Sequence, residues 1–162
     1  MKVIIAGGRA FEDMGTLRGA IADAGFAISE VVSGACGIDA SAPSRDSRIA
    51  RGADGLGETW ARLEGIPIRR FYAALHELGR AAGPIRNAEM AEYGEALIAL
   101  PGDRGTASMI REARKRGLRV FEVIHGAPEP TFGRRTAPYV STKVASSPNL
   151  FEATTAKGRD TK

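Results

Sequence analysis

The sequence has one cysteine, two histidines and no long apolar run. Cys36 alone cannot close an internal disulfide, which suits a reducing cytosol. His76 and His125 lie far apart and form no ligand spacing with Cys36, so no zinc site is indicated. The longest apolar candidates, Val3–Ala6 and Ala96–Leu100, are strand-sized and fall well short of the roughly 18 residues that span a bilayer. Lys2 is followed by only a few apolar residues and then Gly7-Gly8-Arg9, so the opening does not read as a secretory signal. Also missing are the G-x-G-x-x-G dinucleotide fingerprint, the Walker P-loop and a Gly-x-Ser-x-Gly nucleophile elbow. These absences lead away from NAD binding, ATP hydrolysis and serine-nucleophile chemistry. The expectation is a cytoplasmic protein without a membrane segment, metal or cofactor.

At 162 residues, with 43% hydrophobic and 26% charged residues, the chain has the make-up of one globular domain. Its formal charge of +4 suggests nucleic acid until the charge is located. From His125 onward, six basic residues face three acidic ones, so that stretch carries three of the four net charges. The rest is nearly neutral and shows no broad footprint for a phosphate backbone, which makes nucleic acid an unlikely partner for the core. Residues 1–125 are expected to form the domain. Residues 126–162, rich in Pro, Ser, Thr and Lys, are read as a basic, largely disordered tail in which Tyr139–Val144 could add a short strand.

Hydrophobic patterning predicts five strands, at Lys2–Ala6, Ile28–Val32, Ile68–Phe71, Ala96–Leu100 and Leu118–Ile124. Between them, helical spacing appears at Leu17–Ala24, Leu56–Leu63, Ile85–Tyr93 and Ala107–Arg116. Gly25 and Gly117 read as C-terminal stops, and Pro84 as a first-turn proline. Strands alternating with single helices imply βαβ units and a parallel sheet. Right-handed crossovers then favour an α/β, Rossmann-like doubly wound sheet of order 3-2-1-4-5 in a three-layer α/β/α arrangement.

In such a sheet ligands bind beyond the carboxyl ends of the strands where strand order reverses, here between the first and fourth strands. The segments leaving those strands are Gly7-Gly8-Arg9 and Pro101-Gly102-Asp103-Arg104-Gly105-Thr106. Glycines let backbone N–H groups approach an anion, and a helix N-terminus offers unpaired donors with a positive dipole. Thr106 could cap that helix or offer its hydroxyl to a phosphate. The expected ligand is a nucleotide-like small molecule that carries phosphate.

Four blocks carry a resemblance. They are Gly7-Gly8-Arg9-Ala10-Phe11; Gly52-Ala53-Asp54 with Leu56-Gly57-Glu58 and Trp60-Ala61; Ala82-Gly83-Pro84-Ile85-Arg86-Asn87 with Met90; and Pro101–Thr106. In this order, from about Met1 to Ile124, the chain resembles the YspA/YpsA-related branch of the SLOG superfamily. The resemblance implies a Rossmann-like domain that binds a nucleotide or nucleotide-derived signal and could act as a sensor. It points to Gly7, Gly8, Arg9, Ser33, Gly34, Asp54, Arg86, Asn87, Pro101, Gly102, Gly105 and Thr106 as the ligand site. Arg86 is expected to be exposed near a helix start, with Met90 and Tyr93 on about the same face. Asn87, Glu89 and Glu92 would serve as solvated or capping residues. Relatives include the phosphoribohydrolases that carry the LOG name and the DNA-processing protein DprA. An N-glycosidic-bond hydrolase acting on nucleotides and a DNA-associated module are therefore the alternatives, and a homo-oligomer is the expected assembly.

The chain also departs from the pattern. Phosphoribohydrolases carry a catalytic glutamate in Pro-Gly-Gly-x-Gly-Thr-x-x-Glu; the equivalent position here is Met109, and Asp103 replaces the second glycine. Methionine exchanges no protons, which argues against inherited hydrolase chemistry and leaves binding. Glu112, one turn on, is expected to face solvent. A Ser/Arg/Asp-rich insertion at residues 35–51 separates Ser33-Gly34 from Gly52-Ala53-Asp54 and holds a second candidate aspartate, Asp39. Asp54 is favoured, because Leu56-Gly57-Glu58 and Trp60-Ala61 follow it. Arg45, Arg48 and Arg51 recur at a spacing that could line one face of a short helix over the crevice.

Overall fold

The computed structural model describes residues 1–38 and 49–124. The expectations for Asp39, Arg45, Arg48 and the segment after residue 124 lie outside the described residues. Strands β1 (Lys2–Ala6), β2 (Glu30–Ser33), β3 (Ile68–Arg70), β4 (Ala96–Ala99) and β5 (Arg119–Glu122) form one sheet. Helices α1 (Met14–Ala24), α2 (Gly52–Leu63), α3 (Leu75–Leu78), α4 (Ala82–Tyr93) and α5 (Arg104–Lys115) connect them. The order is β3-β2-β1-β4-β5, and every neighbouring pair is parallel. This is the Rossmann-like architecture expected from the strand and helix pattern.

The apolar runs of β1 and β4 follow from their central place, because a parallel strand covered on both faces must be apolar at consecutive positions. Side chains alternate across the sheet. Val3, Ile5 and Ile98 join Leu17, Ala20 and Trp60 of α1 and α2 in one core. Ile4, Ala6 and Leu97 join Met90, Met109 and Ala113 of α4 and α5 in the other. Ile4, Ile5, Leu97 and Ile98 are fully buried, and each contributes about 1.5–3 kcal/mol relative to exposure. Among the described residues no helix is long and apolar enough to cross a membrane.

Several boundaries differ from the periodicity, each for a local reason. Helix α1 begins at Met14 because Asp13 caps it, accepting from Thr16 N at 2.9 Å. Strand β2 begins only at Glu30, and β3 ends at Arg70. Helix α2 begins at Gly52, so Gly52-Ala53-Asp54 is its first turn rather than a preceding loop. Helix α5 begins at Arg104, with Asp103 at the N-cap position and Thr106 inside the first turn. Helix α3 and the 3-10 turn Gly79–Ala81 bury no residue, so no apolar stripe announces them.

Candidate functional site

The loops that follow β1 and β4 continue the pairing beyond the sheet: Leu100 N donates to Ala6 O and Gly8 N to Pro101 O, both at 2.8 Å. This leaves no room for a side chain at Gly102. A Cβ there would lie 2.5 Å from Gly8 N and 2.8 Å from the carbonyl carbon of Gly7, both backbone atoms. Pro101 and Gly102 thus hold the two loops together and do not line the neighbouring cavity.

That cavity is a cleft of about 650 Å³ at the carboxyl ends of β1 and β4. Gly7, Gly8 and Arg9 line one side, and Gly105 and Thr106 line the other. Gly34, Asp54, Arg86 and Asn87 line it as well. Ser33 is the expected residue that turns away: its hydroxyl donates to Glu58 Oε1 at 2.8 Å and accepts from Ala35 N at 3.1 Å. The cleft also takes in Cys36, Met90, Asp103, Arg104 and Met109, which the glycine-centred reading passed over as ligand contacts. Their shared signal is proximity in sequence to the matched blocks.

Helix α5 opens without a cap. Asp103 makes no side-chain cap hydrogen bond, and the first carbonyl to be bonded is Asp103 O, by Ala107 N at 3.1 Å. The N–H groups of Arg104, Gly105 and Thr106 therefore lack intrahelical partners, as at any helix start. Thr106 is not the cap its sequence position suggested. It is 7% exposed, and its Oγ1 is buried with no hydrogen-bond partner among the described residues.

Arg86 is half-buried, not exposed, because it reaches across the cleft. Its Nη1 donates to Gly34 O at 2.7 Å and its Nη2 to Asn87 Oδ1 at 3.1 Å. The buried Nε has no partner among the described residues. Asn87 is 4% exposed, contrary to a solvated role, and its Nδ2 donates to Gly105 O at 3.3 Å. It thus links α4 to α5. Tyr93 lies away from the cleft, with its hydroxyl on Glu30. Glu112 pairs with Arg116 on its own helix.

Asp54 faces Arg86 across Gly34. A Cβ on Gly34 would stand 2.9 Å from Arg86 Cζ and 3.1 Å from Asp54 Oδ2, so a side chain there would push the guanidinium away from the carboxylate. Burial pushes the Asp54 carboxyl up to about 6, against the opposing pull of the Arg86 charge and the Cys36 N–H, which donates at 3.0 Å. Because the folded-state value is raised, the native state binds a proton that the unfolded chain releases. Stability from this group is greatest below about pH 4 and falls as pH rises through about 6. Relative to Asp54→Asn, the wild type should lose of the order of 3 kcal/mol across that window. Parallel denaturant titrations of both proteins between pH 4 and 7 check this; curves that stay parallel would refute it.

Behind Asp54 lies a carboxylate that sequence reading treated only as part of a motif. Glu58 is fully buried and accepts from Ser33, from Arg62 Nη2 at 3.0 Å, and from Arg70 Nε and Nη2 at 2.9 and 2.6 Å. Burial opposes its charge, but these donors outweigh it and hold the carboxyl below its ordinary value. The same pair raises Arg70 above the usual guanidinium value. This network anchors the end of β2, from which Gly34 leads into the cleft.

Among the described residues no cluster of His, Cys, Asp or Glu could hold a metal ion. Comparison with protein-family models, with curated proteins and with solved structures gives no match.

Proposed function

We propose that the chain binds a phosphate-bearing nucleotide or nucleotide derivative in the cleft between the β1 and β4 loops. The observation that carries this reading is the pairing of an uncapped α5 N-terminus with a buried, partnerless Thr106 hydroxyl at the wall of one cleft. Three N–H groups without partners among the described residues, the helix dipole and a neighbouring hydroxyl suit an anion. Arg86 adds charge beside it; of its five N–H groups only two have protein acceptors among the described residues. A guanidinium so placed can give charge-assisted hydrogen bonds to phosphate. The resemblance to the YspA-type branch of the SLOG superfamily supports the nucleotide class. Met109 at the cleft wall, where a phosphoribohydrolase would place its glutamate, favours binding over hydrolysis.

A melting panel of mono-, di- and cyclic nucleotides and ADP-ribose tests the proposal. Ligand at a hundred times its dissociation constant should stabilise the fold by about 2.7 kcal/mol. No shift at millimolar ligand would sink it. Within that panel, Arg86→Ala should weaken binding by roughly tenfold to a hundredfold, the worth of a charged hydrogen bond. Unlike a surface arginine, Arg86 should also matter without ligand, because its removal leaves the Asp54 carboxylate without its facing cation. Restoration of apo stability in the Arg86→Ala/Asp54→Asn double variant would identify that cause, measured by denaturant unfolding.

A further inference from the structure

The cleft is not uniformly suited to an anion. Where α5 begins it offers donors, the Arg104, Gly105 and Thr106 N–H groups, with the Thr106 hydroxyl buried beside them against Gly102. It also presents Asp54, a group that when ionised only accepts. Among the described residues Asp54 has one donor, Cys36 N on Oδ2, and no hydrogen bond from Arg86. A carboxylate accepts at about four lone-pair positions, so the described residues leave most of this one's capacity unused. A phosphate placed against that carboxylate would meet like charge, which is costly in a half-buried site.

We propose that the ligand donates a hydroxyl to Asp54 while its phosphate sits at the α5 N-terminus, so that the cleft takes a sugar phosphate and reads its free hydroxyls. The inference rests on the nucleotide-binding reading given above and specifies which part of the ligand is read. Short links tie the two ends of the cleft. Arg86 flanks Asp54 across Gly34 and bonds Asn87, and Asn87 bonds the carbonyl of Gly105 in the first turn of α5. The donors that every ribonucleotide carries next to its phosphate are the sugar hydroxyls, so they are the groups assigned to this acceptor. Asp54 is thereby a specificity residue for a sugar hydroxyl, and Arg86 serves both ends.

The experiment compares adenosine 5′-monophosphate, its 2′,3′-dideoxy analogue, inosine 5′-monophosphate and ribose 5-phosphate by calorimetry at pH 8, where Asp54 is ionised. The dideoxy analogue should bind at least tenfold more weakly than the parent, since it leaves a buried acceptor unpaired. Inosine monophosphate should bind within a few-fold of the parent, and ribose 5-phosphate should retain measurable affinity. In Asp54→Ala the gap between parent and dideoxy analogue should close. Asp54→Asn serves the same purpose if the alanine variant does not fold. Equal binding of parent and dideoxy analogue by wild type would overturn the sugar-reading role and leave nucleotide binding intact. Discrimination between adenosine and inosine monophosphates with none between sugars would move Asp54 to the base and overturn it as well. Binding of none of the four would overturn both proposals together.

Discussion

Glu58→Gln is expected to lower the unfolding free energy by about 3–5 kcal/mol, the usual cost of removing one partner from a buried ion pair. Glutamine keeps the shape and one acceptor oxygen but removes the charge that compensates Arg70, whose side chain is only 8% exposed. Arg62, 40% exposed, can turn to water and should contribute little to the loss. Denaturant unfolding at pH 7 checks the size, and Arg62→Ala in parallel should cost under about 1 kcal/mol. A Glu58→Gln loss as small as that of Arg62→Ala would mean that β2 is anchored otherwise. The pH dependence runs opposite to that of Asp54. The folded-state value of Glu58 is lowered, so its contribution is present above the unfolded carboxyl value and is lost as pH falls. Acid should therefore weaken the wild type more than Glu58→Gln.

Gly102→Ala and Gly105→Ala should part company, although both glycines lie in one six-residue segment. At Gly102 a methyl group would press on backbone atoms of Gly7 and Gly8, so the two switch-point loops must separate. Overpacking of this kind costs about 1–3 kcal/mol, and the separation should also remove most nucleotide binding. At Gly105 a Cβ meets nothing within 4 Å, and the residue lies in the first turn of a helix. Alanine there should leave apo stability unchanged or raise it by up to about 1 kcal/mol. Melting temperatures of the two apo variants give the answer directly. Equal destabilisation would show that Gly105 is needed for the fold, not for access to the cleft.

Alternating apolar strands and helical stripes made the sheet order legible in advance, because burial on both faces of β1 and β4 leaves consecutive apolar residues that no surface segment requires. Starts of helices were less legible. Asp13 caps α1 from a polar stretch with no periodicity, and α2 and α5 begin in glycine-bearing segments that also read as loops. At the site, glycines and Arg86 could be named from sequence, but the burial of Asn87 and Glu58 could not. Both are polar residues on amphipathic helices, and only the partners that packing delivers, Gly105 O for Asn87 and Arg70 for Glu58, make such burial tolerable. Ser33 was misplaced for the same reason: its hydroxyl is drawn inward by Glu58, a residue 25 positions away.

The reversal of strand order beside β1 has a consequence for how the molecule would respond to the proposed ligand. One wall of the cleft belongs to the first half of the chain, through Gly7–Arg9, Gly34 and Asp54, and the other to the second half, through Arg86, Asn87 and the start of α5. Neither half alone contains the site. A molecule lodged there would act as a rivet between two βαβ halves that the β1–β4 seam and both hydrophobic cores already join. Its binding energy would then add to the cohesion of the whole sheet, so that opening of the halves and release of the ligand would be coupled.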